Sequence, residues 1–319
     1  MIVWDNHTCL PLRHDDETFL PQLERFRQAG VDVVSVNVGF GPQGIEPHVR
    51  MLGHLRRWLA ARPDRYLIVG TAADVERAKA TRRLGVFFDV EGGNAIADQL
   101  SLIEFYYDLG VRWMSIAYNL PNRLGGGCMR PDDGLTEFGE AAIAEMNRVG
   151  MIVCCSHTGP RTVMEAIERS RDPVIFSHSN PRALWDHPRN VTDEMISACA
   201  RRGGVVCVNG VGLFLGLNDT RSETFVRNVD YVARLAGIEH VGVGLDYVFD
   251  SEEVELYVRG NPELFGRDAE VVKTYGCDFV PPERLPEIAD RLRAIGYSNA
   301  DVERVLGGNM LRLAREIWK

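Results

Sequence analysis

Short apolar, β-branched runs alternate along the chain with longer stretches of helical periodicity, the pattern expected of βαβ units around a buried parallel sheet. Eight runs read as strands: Ile2–Trp4, Val31–Val38, Val86–Val90, Val111–Ile116, Ile152–Cys155, Val174–Phe176, Val205–Val208 and Val241–Leu245. Between them, Phe138–Val149, Thr162–Glu168, Glu194–Arg201 and Thr224–Ala236 carry apolar residues at helical spacing and are fit to cover the outside of a barrel. A ninth run, Tyr66–Val69, is followed by Gly-Thr-Ala-Ala and brings no polar group to a barrel mouth, so it reads as an excursion between the second and third barrel strands. From Pro281 onward the pattern is that of helices. The expectation is an α/β chain forming a (β/α)8 TIM barrel with C-terminal helices packed on it.

No low-complexity linker, short-period repeat or shift in composition marks a boundary, so residues 1–319 are expected to form one domain. Hydrophobic residues make up 45% and charged residues 25%, enough for a sizeable buried core. The formal net charge of -9 argues against nucleic acid or an anionic bilayer as the main partner, since both would repel the chain at long range. Met1-Ile-Val-Trp-Asp lacks the features of a secretory signal, Arg-Glu-Ile-Trp-Lys at the other end is too charged for a lipid-anchor tail, and no run is long enough to span a membrane. Seven cysteines without a disulfide framework's spacing point to reduced thiols and a cytoplasmic setting.

Barrel enzymes carry their chemistry where strands end, so the first polar residues beyond each run are the informative ones. They are His7 and Cys9 after the first barrel strand, Glu91 after the third, Tyr118 after the fourth, His157 after the fifth, His178 after the sixth and Asp246 after the eighth. Singly, each is more often a hydrogen-bonded loop residue or a small apolar thiol. The coincidence carries the weight: of eight histidines in the chain, three follow separate strands. Imidazoles, a carboxylate and a thiol at one mouth suit zinc, which takes nitrogen, oxygen and sulfur ligands together. His7 and Cys9, two residues apart on an extended strand, project to the same side. Gly92-Gly93 after Glu91 would let backbone pass close to an ion or substrate. His14, His48, His54, His187 and His240 have no such placement and read as structural.

Two glycine-rich stretches suggest a different chemistry, phosphate binding. Gly39-Phe-Gly41-Pro-Gln-Gly44 is formally GxGxxG, but Pro42 removes a backbone donor from the cradle and Tyr66–Val69 does not end in a ribose-binding carboxylate. Gly125-Gly-Gly-Cys has no following Gly-Lys-Ser/Thr and reads as a flexible mouth loop.

Around these residues the sequence resembles the membrane (renal) dipeptidase family of zinc-dependent barrel hydrolases. The resemblance runs in order through Asp-Asn-His7, Val90-Glu91-Gly-Gly, Gly110-Val-Arg, Gly134-Leu-Thr-Glu-Phe-Gly, Glu145-Met-Asn-Arg-Val-Gly-Met, Ser156-His157 and Pro173-Val-Ile-Phe-Ser-His178-Ser. It continues through Asp186-His-Pro-Arg189-Asn, Gly203-Gly-Val-Val, His240-Val-Gly-Val-Gly-Leu-Asp246 and Leu306-Gly-Gly-Asn309. It implies a dipeptide or small-amide substrate and one or two zinc ions, and dimers are frequent in that family. By the resemblance, His7 binds the first metal, Glu91 bridges, His157 and His178 hold the second, Asp246 is the acid/base carboxylate, and Arg189 grips the substrate's terminal carboxylate.

The departures fall at the proposed mouth. Where the family has His-x-Asp this chain has His7-Thr8-Cys9, so a carboxylate ligand has become a thiol. Tyr118, beside Asn119, stands where the family usually has a substrate-contacting His, and both residues are expected to face substrate. Asn94 replaces another common His, and Cys154 a common Asp. The expected activity is therefore metal-dependent hydrolysis of a dipeptide. The alternatives are another amide, acylamino acid or lactam at an altered site, or a protein that binds without turnover.

Overall fold

The computed structural model describes residues 1–319. Its strands are β1 Trp4–Cys9, β2 Val33–Phe40, β3 Tyr66–Ile68, β4 Leu84–Glu91, β5 Val111–Ser115, β6 Ile152–Cys154, β7 Ile175–Phe176, β8 Val205–Asn209, β9 Val241–Gly244 and β10 Tyr247–Val248. All pairings between them are parallel, in the order β10-β1-β2-β4-β5-β6-β7-β8-β9. Only Leu245 and Asp246 separate β9 from β10, so the two ends of this order belong to one stretch of chain and the sheet closes on itself as a TIM-type barrel. β3 lies off the ring: it pairs with Leu84–Val86, the start of β4, while β5 pairs with Phe88–Glu91, its end. The excursion expected at Tyr66–Val69 is therefore present.

The inward faces of the strands change character along their length. Alternate residues share a face, and on β2 these are Val33, Ser35 and Asn37, on β4 Phe87, Asp89 and Glu91, and on β8 Val205, Cys207 and Asn209. The apolar members join Trp4, Trp113, Ile152 and Ile175 in a cluster at the barrel floor, closed from below by the helix Asn309–Ile317 and by Trp318. Trp318 lies 5.6 Å from Trp4 and 5.4 Å from Phe87 between ring centroids. Asn309, buried, donates to the carbonyls of Ile238 and Val241 at 2.8 Å each and fastens that helix to β9. A larger cluster of 65 buried residues lies between the strands and the surrounding helices. With the floor apolar on both counts, the polar ends of the strands gather at the opposite mouth.

The helices expected between strands are present as Glu137–Val149, Pro160–Arg169, Asp193–Arg201 and Ser222–Ala236. β1 is longer than its apolar run, because His7 and Cys9 are themselves strand residues. The pattern gave no element for Ser251–Tyr275. This segment forms three helices, Ser251–Gly260, Pro262–Phe265 and Asp268–Tyr275, which lie over the mouth and line the cavity there with Val254, Tyr257, Val258, Phe265 and Asp268. No helix is long and apolar enough to cross a membrane.

Candidate active site

The residues expected at the strand ends meet in one cup. Glu91 stands at its centre with its two oxygens divided: Oε2 is 3.6 Å from His7 Nε2, and Oε1 is 3.1 Å from His157 Nε2 and 3.2 Å from His178 Nε2. Cys9 Sγ lies 3.4 Å from the same His7 Nε2, and Asp246 Oδ1 lies 3.5 Å from it. His7, Glu91 and His178 form one group of converging donors, and His7, Cys9 and Asp246 another.

Local backbone geometry aims these side chains. The β1–β2 register shifts between Asp5 and Thr8, around His7, as irregular strands next to functional sites often do to redirect a side chain. Asn119, His157 and Asp246 have φ of 58°, 66° and 55°. Left-handed backbone of this kind costs on the order of 1–3 kcal/mol at a non-glycine residue and persists where surrounding contacts fix it. Here it turns the chain sharply after a strand, so the side chain enters the mouth. Gly92, at φ 120°, meets that need without cost immediately after Glu91.

The imidazoles are oriented from behind. His7 Nδ1 is 3.3 Å from Asp89 Oδ2, and Asp89 is in turn held by Ser35 Oγ and by Asn37 Nδ2 at 2.9 Å. His157 Nδ1 faces Asn119 Oδ1 at 2.7 Å; since an amide oxygen only accepts, Nδ1 carries the proton and Nε2 presents a lone pair to the cup. His178 Nδ1 bonds Ser177 Oγ at 2.8 Å, and Cys154 Sγ lies 3.0 Å from that same oxygen. Asn209 donates to Asp246 Oδ2 at 2.9 Å and leaves Oδ1 to the cup.

Charge follows from burial and neighbours. Burial, then the cationic neighbours Arg189 and His7, push His157 well below the ordinary imidazole range, and burial with His7, His157 and Arg189 does the same to His178. Both imidazoles are therefore neutral. Burial raises Glu91 to about 8. Burial opposes a proton on His7, but the facing Cys9, Asp89 and Glu91 act in the other direction and hold its pKa well above the usual value. Tyr118 is driven well up by burial and then by Glu91 and remains a proton donor.

The site suits a cation. The Nε2 atoms of His157 and His178 are 2.9 Å apart, and the buried Glu91 Oε1 beside both has no hydrogen-bond partner. An unpartnered buried carboxylate oxygen beside two converging imidazole nitrogens suits a positive centre. Nitrogen, oxygen and the thiol of Cys9 form a donor set matched to zinc.

Above the cup, Tyr118 stacks on His157 with centroids 4.1 Å apart and planes at 20°. Asn119 serves both sides, orienting His157 and donating through Nδ2 to Leu264 O at 3.2 Å on the covering segment. Arg189 is 3% exposed; its Nη2 reaches His178 O at 3.3 Å, its Nε is unpartnered, and its Cζ lies 5.2 Å from the ring centroid of Phe214. Cys9, Glu91, Tyr118, Asn119, His157, Arg189 and Asp246 all line one cavity of about 300 Å³. His7 and His178, fully buried, form its floor.

Some partners were not expected from the sequence. Asp89 lies two residues before Glu91 on one strand face and Asn37 lies within the second barrel strand, while Asn209 ends the seventh, the one of the three that stands at a strand end. His187, read as structural, accepts the Arg189 backbone N–H on Nδ1 at 3.1 Å and meets Asp268 Oδ1 through Nε2 at 2.8 Å. The glycine stretches are packing devices. Gly39 lies against the His48 ring and Gly41 against Tyr118, while a Cβ on Gly127 would stand 2.3 Å from the Asn119 carbonyl, so 125–127 is a buried, tightly packed segment rather than a loose loop.

Known proteins support the same reading. The family model described as membrane dipeptidase (Peptidase family M19) matches residues 22–258. An uncharacterized dipeptidase of Schizosaccharomyces pombe is 30% identical over 236 residues, 72% of this chain and 51% of that protein. Dipeptidase 3 of Rattus norvegicus is 28% identical over 271 residues, 82% and 50% of the two chains. This chain thus spans about half the length of these curated relatives. Among solved structures, an amidohydrolase from Pseudomonas aeruginosa superposes with a TM-score of 0.88 at 27% identity, over 99% of this chain and 96% of that one. With the matched segment covering most of the barrel, the chain belongs to the membrane dipeptidase family, peptidase family M19.

Proposed function

We propose that this protein is a zinc-dependent hydrolase that cleaves the amide bond of dipeptides. The observation that carries the reading is Glu91, whose oxygens face His7 on one side and the His157–His178 pair on the other. Its relatives named as dipeptidases support the substrate class. Glu91, His157 and His178 would hold one ion; His7, Cys9 and Asp246, with Glu91 between, offer a second place.

The chemistry a cation supplies in such a site is an acidified water and a polarised carbonyl. The rest falls to the chain. Arg189 offers its unpartnered Nε to the substrate carboxylate, and Asn119 keeps His157 in the tautomer that binds. Asp246 Oδ1, which faces the cup beside Cys9 and His7, takes the proton of the attacking water and returns it to the departing nitrogen, work typically worth about 10² to 10⁴ in rate. Tyr118 donates toward the developing oxyanion. The covering segment excludes water from these exchanges. All seven cysteines are free, in keeping with a reducing, cytoplasmic setting.

The test is a dipeptide panel assayed with protein stripped of metal and then resupplied with zinc. Zinc-dependent cleavage abolished by His157→Ala supports the reading. A fully metallated protein that cleaves no dipeptide ends it.

A further inference from the structure

The cavity above the cup has two unlike walls. Beside the ligands it is polar, but most of its lining is apolar, and about half of that apolar lining belongs to a small cluster distinct from the two of the barrel. Val211, Leu213, Val258, Val272 and Cys277 are buried together, with Phe214, Val254, Phe265 and Phe279 packed on them. The cluster exists because Ser251–Tyr275 folds back over the segment after β8.

Arg189 fixes where a ligand would sit against it. It is the only lysine or arginine that lines the cavity, it has a free buried donor, and Phe214 flanks its guanidinium. A group whose carboxylate is held by Arg189 therefore places its neighbouring side chain beside Phe214, Val211, Leu213 and Phe279. An acidic side chain on that wall would find Asp250, Glu253 and Asp268 around the same cavity and no lysine or arginine besides Arg189. A lysine side chain would lose its water among aromatic and branched residues, and the nearby carboxylates of Asp250, Glu253 and Asp268 are already engaged by Arg13 and His187.

We propose that the substrate residue bearing the free carboxylate carries a bulky apolar side chain, of the leucine or phenylalanine class, seated on the wall formed by Phe214, Val211, Leu213 and Phe279. The inference rests on the dipeptidase reading for its turnover but on the cavity for its selectivity.

Two measurements separate the two ideas. In the first, zinc-supplemented protein is assayed on dipeptides with amino-terminal alanine and carboxyl-terminal Gly, Ala, Leu, Phe, Asp or Lys. We expect kcat/KM for Leu and Phe to exceed that for Gly and Asp by at least about 10-fold, the scale on which an apolar pocket discriminates by size. Phe214→Ala should narrow the Phe-to-Gly ratio. In the second, calorimetry compares N-acetyl-phenylalanine, N-acetyl-glycine and N-acetyl-aspartate as ligands, a readout that needs no turnover. Tighter binding of N-acetyl-phenylalanine supports the apolar subsite even if no dipeptide is cleaved. Equal binding, or equal kcat/KM for Gly, Asp and Phe, overturns it and leaves the hydrolytic reading standing.

Discussion

Cys9 Sγ lies 3.4 Å from Asp246 Oδ1, and both lie within 3.5 Å of His7 Nε2. A thiol has therefore taken the place where relatives are expected to bring a carboxylate, at the half of the cup farther from the His157–His178 pair. Burial pushes the Cys9 thiol well up, so it releases its proton only when a cation replaces it. Cobalt-substituted protein should show a sulfur-to-metal charge-transfer band that disappears in Cys9→Asp. The same variant should hold the ion in this half more tightly in magnesium- or manganese-rich buffer, since those ions favour oxygen. Identical spectra in the two proteins would show that Cys9 is not a ligand.

Tyr118 replaces an expected imidazole yet keeps its proton, because burial and Glu91 both resist ionisation. Its ring is fixed by stacking on His157 and by Phe40 at 5.1 Å, so removing only the hydroxyl leaves the wall intact. Tyr118→Phe should lower kcat by about 10² to 10³ with little change in KM, the signature of a donor used mainly in the transition state. An unchanged kcat would reduce Tyr118 to packing.

How much of this was readable in advance depended on whether the signal was local. The eight barrel strands are buried on both faces, so their apolar runs stand out, and β3 was separable because the Gly-Thr-Ala-Ala after it brings no metal-binding or proton-transferring side chain. The convergence of the strand-end residues was readable because a barrel places each strand end at one mouth whatever the loops do. Asp89 was hidden inside an apolar run, where a buried carboxylate shows only as one polar letter. The segment Ser251–Tyr275 was hidden for a different reason: its apolar face is short and its partners, Val211, Leu213 and Phe279, come from elsewhere in the chain. His187 followed no strand, and its role appears only once Asp268 is folded over it.

Asp5 gives the fold a pH dependence. It is fully buried at the barrel's inner wall, and desolvation raises its carboxyl to about 7 despite the backbone N–H groups of Leu245 and His7 that favour its anion. A carboxyl whose folded pKa lies above its unfolded value stabilises the fold at low pH, and that contribution is lost as pH rises through the folded value. Metal-free protein should therefore show a falling Tm between the ordinary carboxylate range and about pH 7 from this group. Asp5→Asn should flatten that part of the curve; a slope unchanged by the substitution would place the titration elsewhere.

His187 joins the covering segment to the loop that carries Arg189, the proposed substrate anchor. Its Nδ1 accepts from the Arg189 backbone and its Nε2 meets Asp268 Oδ1, so the neutral tautomer with a proton on Nε2 satisfies both contacts at once. Asp268 begins the helix Asp268–Tyr275, and no other ion pair ties that helix to the Arg189 loop. Asp268→Asn retains an oxygen that accepts the same N–H but removes the charge, whereas Asp268→Ala removes the link. If the link holds Arg189 in place, Asp268→Ala raises KM for substrates with a free carboxylate by about 10-fold, on the scale of a lost charge-assisted hydrogen bond of about 1.5 kcal/mol. It leaves KM for the corresponding carboxamide nearly unchanged, and Asp268→Asn recovers most of the loss. A rise of equal size for carboxylate and carboxamide would mean that His187 and Asp268 only hold the cover shut, because closure affects every ligand alike while Arg189 distinguishes those that carry an anion.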